Sequence, residues 1–218
     1  FSPYSPSTRH FLNVLYVAVE ALPEFGECAA ARGMVEAADF QQELRRLRAV
    51  PNVDFPVVAH AKLRVIPVLY EHFRRQHLAF DSERAQAFLA YRRERGEPLR
   101  LHALHDAIDE HLRGVDPGRY WGWPAWPEGL RDPGLPGVRD FERQNDESVQ
   151  FHAWLQWLAD DQLRSVQRLA VELGMPLGLY GDFAVGVNPS GSETWSDQTV
   201  YRMGAGIGAP PDALALKG

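Results

Sequence analysis

Asp182 stands in "GLYGDFAVGV", residues 178–187, where a short apolar run gives way to the turn-rich "NPSGSETW". A carboxylate at the C-terminal end of a buried strand sits where barrel enzymes do their chemistry, because the loops after the strands converge there. The same residue type also opens ordinary turns. Glu193 and Asp197 flank Trp195 a little further on. Two carboxyl groups roughly 5–9.5 Å apart can break a glycosidic bond, one as acid and the other as nucleophile or base. The sequence names no partner for Asp182, since a loop of unknown course separates it from Glu193 and Asp197. Six tryptophans and the "SPY" tripeptide around Tyr4 would suit the flat C–H faces of sugar rings. Trp154 and Trp157 fall on a helix stripe and are expected in a core. Trp121, Trp123 and Trp126 crowd one loop and are expected to pack there.

Other chemistries find no footing. No G-x-S-x-G, P-loop, H-E-x-x-H or C-x-x-C pattern occurs, and the glycines around Asp182 spell no dinucleotide fingerprint. His102 and His105, three apart on a helix, read as surface or packing residues rather than ligands. No metal and no cofactor is expected. The lone Cys28 cannot form an internal disulfide and reads as a small apolar residue. A net charge of -6 and a pI near 5.8 argue against nucleic acid or an anionic membrane as partner. The basic runs "ELRRLR", "FRRQH" and "YRRERG" read as solvated helix faces. No apolar run nears the roughly 18–20 residues of a membrane span. "FSPYSP" lacks the basic start and apolar stretch of a signal peptide, and a first residue of Phe reads as a partial sequence.

The elements that must position these residues are mostly helical. "FLNVLYVAVEAL" is β-branched and aromatic enough for a strand near residues 12–19, with a short helix as the alternative. Phe40, Leu44, Leu47 and Val50 recur at helical steps. Asp54 ahead of Pro56 marks a helix start, and Pro67, inside the same helical pattern, should kink or split that helix. A helix opens at Asp81 or Ser82 and stops at Gly96. Another carries Leu101, Leu104, Ile108 and Leu112. Proline and glycine break residues 114–137 into a loop. Phe151, Trp154, Leu155, Leu158, Val166, Leu169 and Leu173 then form one long stripe, stopped by Gly174. Helix, glycine and short apolar strand make half of a βαβ repeat.

"SPYSPSTRHFLNVLYV", "RYWGWPAWPE", "FHAWLQWLADDQL", "PLGLYGDFAVGVNPSGSETWSD" and "GIGAPPDAL" succeed one another along nearly the whole chain. In this order they resemble the bacterial 4-α-glucanotransferases, the amylomaltases or disproportionating enzymes. The resemblance implies an α/β fold: part of a (β/α)₈ barrel with a large, mainly helical insertion, the chain itself predominantly helical with one or two clear strands. It implies a barrel segment with the SPY loop at 1–22, a helical insertion at 23–137, and a barrel helix, strand and active-site loop at 138–218. It further implies cytoplasmic transfer of α-1,4-glucan segments between maltodextrins with retention of configuration. By correspondence Tyr4 packs on the sugar near the scissile bond, Asp182 hydrogen-bonds the sugar at the cleavage point, and Asp212 lies over the acceptor side. In some relatives a basic residue takes the place of Gly181.

In that family the nucleophile, the acid/base and a third carboxylate come after the G-x-P-P-D segment. No catalytic residue is therefore expected among these 218, and the chain alone should be inactive, a piece of the larger enzyme. Two other readings stand beside it: a stand-alone α-glucan-binding module, and a helical interaction module. A barrel piece is also expected to self-associate through its exposed edges.

Overall fold

The computed structural model describes residues 4–205 and 211. Its chain divides into two compact units: Phe1–His10 with Leu104–Asn145 and Asp182–Gly218, and Phe11–Ala103 with Asp146–Gly181. Among the described residues the regular elements are α-helices and short 3-10 turns: α1 Pro23–Glu27, α2 Ala29–Glu36, α3 Ala38–Ala49, α4 Phe55–Gln76, α5 Glu83–Val115, α6 Pro136–Gln144, α7 Asp146–Glu172 and α8 Ser192–Ser196.

The starts of α4 and α5 arise from capping chemistry. Asp54 Oδ1 accepts from the Val57 N–H at 3.2 Å, and Ser82 Oγ accepts from the Ala85 N–H at 3.3 Å, each satisfying a helix N–H with no carbonyl of its own turn to meet. Pro67 neither splits nor ends α4, which runs on to Gln76. Gly96 breaks α5 locally, at φ 55° and ψ -137°, a conformation only glycine adopts at little cost.

The unit of residues 11–103 and 146–181 is built on an aromatic core. Phe73 of α4 lies 5.5 Å from Trp154 and 5.8 Å from Trp157 of α7, and meets Phe88 of α5 edge-on at 5.7 Å. Tilted and edge-on rings at these distances match their quadrupoles as well as their volumes. The fully buried Glu24 would be costly alone. Arg84 grips it at 2.9 and 3.3 Å, reaches Asp161 at 3.1 Å, and lies 4.0 Å above the Trp157 ring. One guanidinium thus joins α1, α5 and α7.

The expectation of an α/β fold with one or two clear strands is overturned: among the described residues there is no strand, and the regular elements are helical. Around residues 12–19 the chain makes two 3-10 turns, Val14–Tyr16 and Val19–Ala21, and residues 180–187 are irregular. β-Propensity describes a side chain that fits a pleated surface, and a strand exists only where a neighbour takes its ladder bonds. Here side chains take them. Gln156 and Gln162 of α7 bond both the N–H and the C=O of Leu12 and Ala18, and Lys62 donates to the carbonyls of Leu15 and Val17. Gln167 accepts from the Leu179 N–H at 2.7 Å. The mainly helical expectation stands. The long stripe of α7 is buried only in its first half: Trp154, Leu155 and Leu158 are inside, whereas Val166 and Leu169 are about half exposed and Leu173 is 74% exposed.

In the other unit Trp126 and Trp195 meet edge-on at 5.9 Å with His105 packed against both. The loop of tryptophans contributes two buried rings, Trp123 and Trp126, and one exposed, Trp121.

Candidate functional site

Two of the sequence motifs come together within one unit: the segment after Tyr4, and the run from Asp182 into α8. The Asn188 N–H donates to the Pro6 carbonyl at 2.8 Å, and the Glu193 N–H to the Ser7 carbonyl at 3.1 Å. Ser7 Oγ also accepts from the Ser192 N–H at 3.0 Å. Gly191 permits this approach, for a Cβ there would fall 2.3 Å from the Ser7 carbonyl oxygen.

Arg9 and Glu193 clasp the two segments. Arg9 Nε and Nη2 donate to Glu193 Oε1 at 3.0 and 2.7 Å, and the Arg9 N–H donates to Oε2 at 2.6 Å. The Tyr201 hydroxyl donates to Oε1 as well, and accepts from Arg9 Nη2 at 3.0 Å. The Glu193 side chain is only 3% exposed. Burial pushes its pKa up, but the hydrogen bonds from Arg9 and Tyr201 outweigh that and hold the carboxyl below the usual glutamate range. Burial and the bond to Glu193 in turn push the Tyr201 phenol up.

The same arginine reaches the Asp182 side of the segment. Its guanidinium lies 5.3 Å from the Phe183 ring centroid, and Nη1 donates to the Val185 carbonyl at 3.3 Å. Tryptophan N–H groups close the far end: Trp123 Nε1 donates to Thr194 Oγ1 and Trp195 Nε1 to the Leu130 carbonyl, each at 3.0 Å.

Tyr4 is 84% exposed. Asp182 is exposed in irregular backbone rather than at a strand end, and its Oδ1 accepts from the Phe183 N–H at 2.8 Å. Asp212 lies outside the described residues. Of the other acids weighed in the sequence, Asp197 accepts from the Thr199 hydroxyl at 2.6 Å, and Glu193 is the ion-pair partner of Arg9. His102 stacks on Phe11 with centroids 4.6 Å apart, and His105 Nδ1 meets Asp106 at 2.9 Å. Arg9 and Tyr201 were missed in the sequence. A bond across 184 residues leaves no local spacing to read.

The model of the 4-alpha-glucanotransferase family, glycoside hydrolase 77, matches residues 1–218. A 4-alpha-glucanotransferase of Haemophilus influenzae is 35% identical over 219 residues, covering all of this chain and 31% of its own length. One from Mycobacterium bovis is 36% identical over 213 residues, covering 97% of this chain and 27% of its own. The crystal structure of amylomaltase from Corynebacterium glutamicum superposes with a TM-score of 0.75 at 30% identity, over all of this chain and 27% of that one. The chain thus spans less than a third of the length of these relatives. Sequence motifs, family model and backbone agree, and the chain belongs to the 4-alpha-glucanotransferase family.

Proposed function

We propose that this chain is a glucan-binding segment of a 4-α-glucanotransferase, an enzyme that moves α-1,4-glucan pieces between maltodextrins with retention of configuration. Tyr4 packs on the sugar near the bond that is broken, Asp182 bonds its hydroxyls, and Asp212 serves the acceptor side. The observation that carries this reading is the Arg9–Glu193 clasp. It ties the segment after Tyr4 to the segment after Asp182, so the backbone on which both residues depend is held by a buried ion pair. Sites need such support, because a group 1 Å out of place forfeits much of its effect.

The carboxylates that break the bond belong to other parts of the enzyme. Glu193 is held ionised by Arg9 and Tyr201, which unfits it as a general acid. Asp182 is exposed and in this reading holds the sugar's hydroxyls, while a retaining mechanism needs a pair of carboxyl groups for the chemistry. Residues 23–137 are then the helical insertion, and residues 138–218 return to the barrel. In this reading the enzyme is cytoplasmic. No helix among the described residues is long and apolar enough to cross a membrane.

Incubation with maltotriose tests the proposal. An enzyme of the relatives' length carrying this segment releases glucose and longer maltodextrins, and the 218-residue chain alone releases neither. Glucose release by the chain alone at the enzyme's rate would overturn it.

A second observation concerns association. Leu163, Val166, Leu169 and Leu173 form an exposed apolar stripe on and just beyond the second half of α7. Such a face favours contact with another polypeptide, and the chain on its own is expected to self-associate through it. Sedimentation showing a monomer at all accessible concentrations would remove that expectation.

A further inference from the structure

A pair of histidines plays no part in the proposed glucan site. His72 lies in the penultimate turn of α4, and His77 comes directly after its last residue. Both rings turn Nε2 toward the carboxylate of Glu27, the last residue of α1. Glu27 Oε2 is 2.9 Å from His77 Nε2 and 3.4 Å from His72 Nε2. One donor atom from each of the three side chains lies within 4.8 Å of the others. The histidine side chains are 19% and 13% exposed, and that of Glu27 is 46% exposed.

We propose that Glu27, His72 and His77 form a binding site for a divalent transition-metal ion of the zinc class. Two imidazoles and one carboxylate are a donor set that suits zinc, with a fourth position for water. Metal–ligand distances of about 2.0–2.2 Å in a tetrahedron put the donor atoms about 3.4 Å apart. The Glu27–His72 separation already meets that figure. The Glu27–His77 separation must open by about half an ångström, within reach of a half-exposed carboxylate at the end of a five-residue helix.

The surroundings support this assignment. His77 Nδ1 is 3.0 Å from Ser82 Oγ, the cap of α5. That bond fixes the ring and leaves Nε2 facing Glu27, as the outer partners of metal-bound histidines do. In the tautomer that gives Nδ1–H to Ser82, the Nε2 lone pair faces the carboxylate oxygen and is free to bind a cation. The chain brings the three together through the packing of α1 and α2 on α4, which explains why no spacing in the sequence revealed them.

Calorimetric titration of the metal-free chain with Zn²⁺, and visible absorption on titration with Co²⁺, test the site. The expected result is one saturable site of micromolar affinity with a tetrahedral Co²⁺ spectrum. His72→Gln and His77→Gln each weaken it at least about tenfold, and Ser82→Ala by about tenfold, through the lost outer partner. Each variant keeps the wild-type helical circular dichroism, which separates lost ligation from lost folding. Zinc affinity unchanged in the folded His72→Gln/His77→Gln double variant would assign the ion to other histidines and overturn the proposal. No saturable uptake by the wild-type chain up to millimolar Zn²⁺ would overturn it too. Neither result depends on glucan transfer.

Discussion

Gln156 exchanges two hydrogen bonds with the backbone of Leu12: its Oε1 accepts from the Leu12 N–H at 3.0 Å, and its Nε2 donates to the Leu12 carbonyl at 2.9 Å. Gln162 does the same for Ala18, at 2.8 and 2.9 Å. The two amides replace the ladder partner that a strand would have used. They differ in burial, since Gln156 is inside and the Gln162 pair is exposed. Gln156→Ala leaves part-buried backbone groups of Leu12 unpaired and should cost about 1–3 kcal/mol, whereas Gln162→Ala should cost under about 1 kcal/mol because water replaces the amide. Urea midpoints at unchanged slope measure both. Equal losses at the two positions would show that burial does not govern these bonds.

The Arg9–Glu193 pair makes stability depend on pH with a definite sign. The folded-state pKa of Glu193 lies below its ordinary value of 4.5. Its contribution is therefore fully present above that value and is lost as pH falls through the folded-state pKa. Glu193→Gln should cost about 3 kcal/mol at neutral pH, as expected for breaking a buried pair on one side. The gap between wild type and variant should close as the solution is acidified below the ordinary glutamate pKa. A gap independent of pH would mean that the lost stability is steric and not ionic.

The helices were legible because their signals are local. The stripe of Trp154, Leu155 and Leu158 is buried as its spacing implied, the Asp54 cap forms, and Gly96 breaks α5. The same stripe continues through Val166, Leu169 and Leu173, which are exposed. Periodicity marks an apolar face but does not say what covers it. Residues 12–19 and 178–187 have strand composition, yet a strand is a property of a pair, and their bonds went to Gln156, Gln162, Gln167, Arg9 and Asp182. Tyr4 and Asp182 were named from a motif resemblance. Arg9, which ties their segments, was hidden in "STRH" because its partner is 184 residues away.

Two glycines near the site should respond in opposite ways. A Cβ on Gly191 would meet the Ser7 carbonyl oxygen at 2.3 Å and its Cα at 2.6 Å, so backbone must shift. Gly191→Ala should cost about 1–3 kcal/mol and loosen the segment after Tyr4, read as faster limited proteolysis there. Gly181, with nothing within 4 Å of its added Cβ, should accept alanine within about 0.5 kcal/mol. Loss of stability in Gly181→Ala comparable to Gly191→Ala would contradict the steric account.

Asp182→Asn separates binding from folding. The asparagine keeps an oxygen to accept from the Phe183 N–H, now met at 2.8 Å, and the side chain is exposed. The change should therefore alter stability by no more than about 0.5 kcal/mol. It removes the charge that a sugar hydroxyl would bond. A charge-assisted hydrogen bond exceeds a neutral one by about 1–1.5 kcal/mol, so kcat/KM for maltotriose should fall about fivefold to tenfold in an enzyme carrying this segment. If Tyr4 packs on the sugar as proposed, Tyr4→Phe should keep most of the activity and Tyr4→Ala lose it, since the phenylalanine ring offers the same face. Glu193→Gln should lose activity only as far as it loses fold, and recover it with added stabilising osmolyte. Unchanged kcat/KM in a folded Asp182→Asn enzyme would take Asp182 out of the glucan site, whatever the fate of the clasp that Arg9 and Glu193 form beside it.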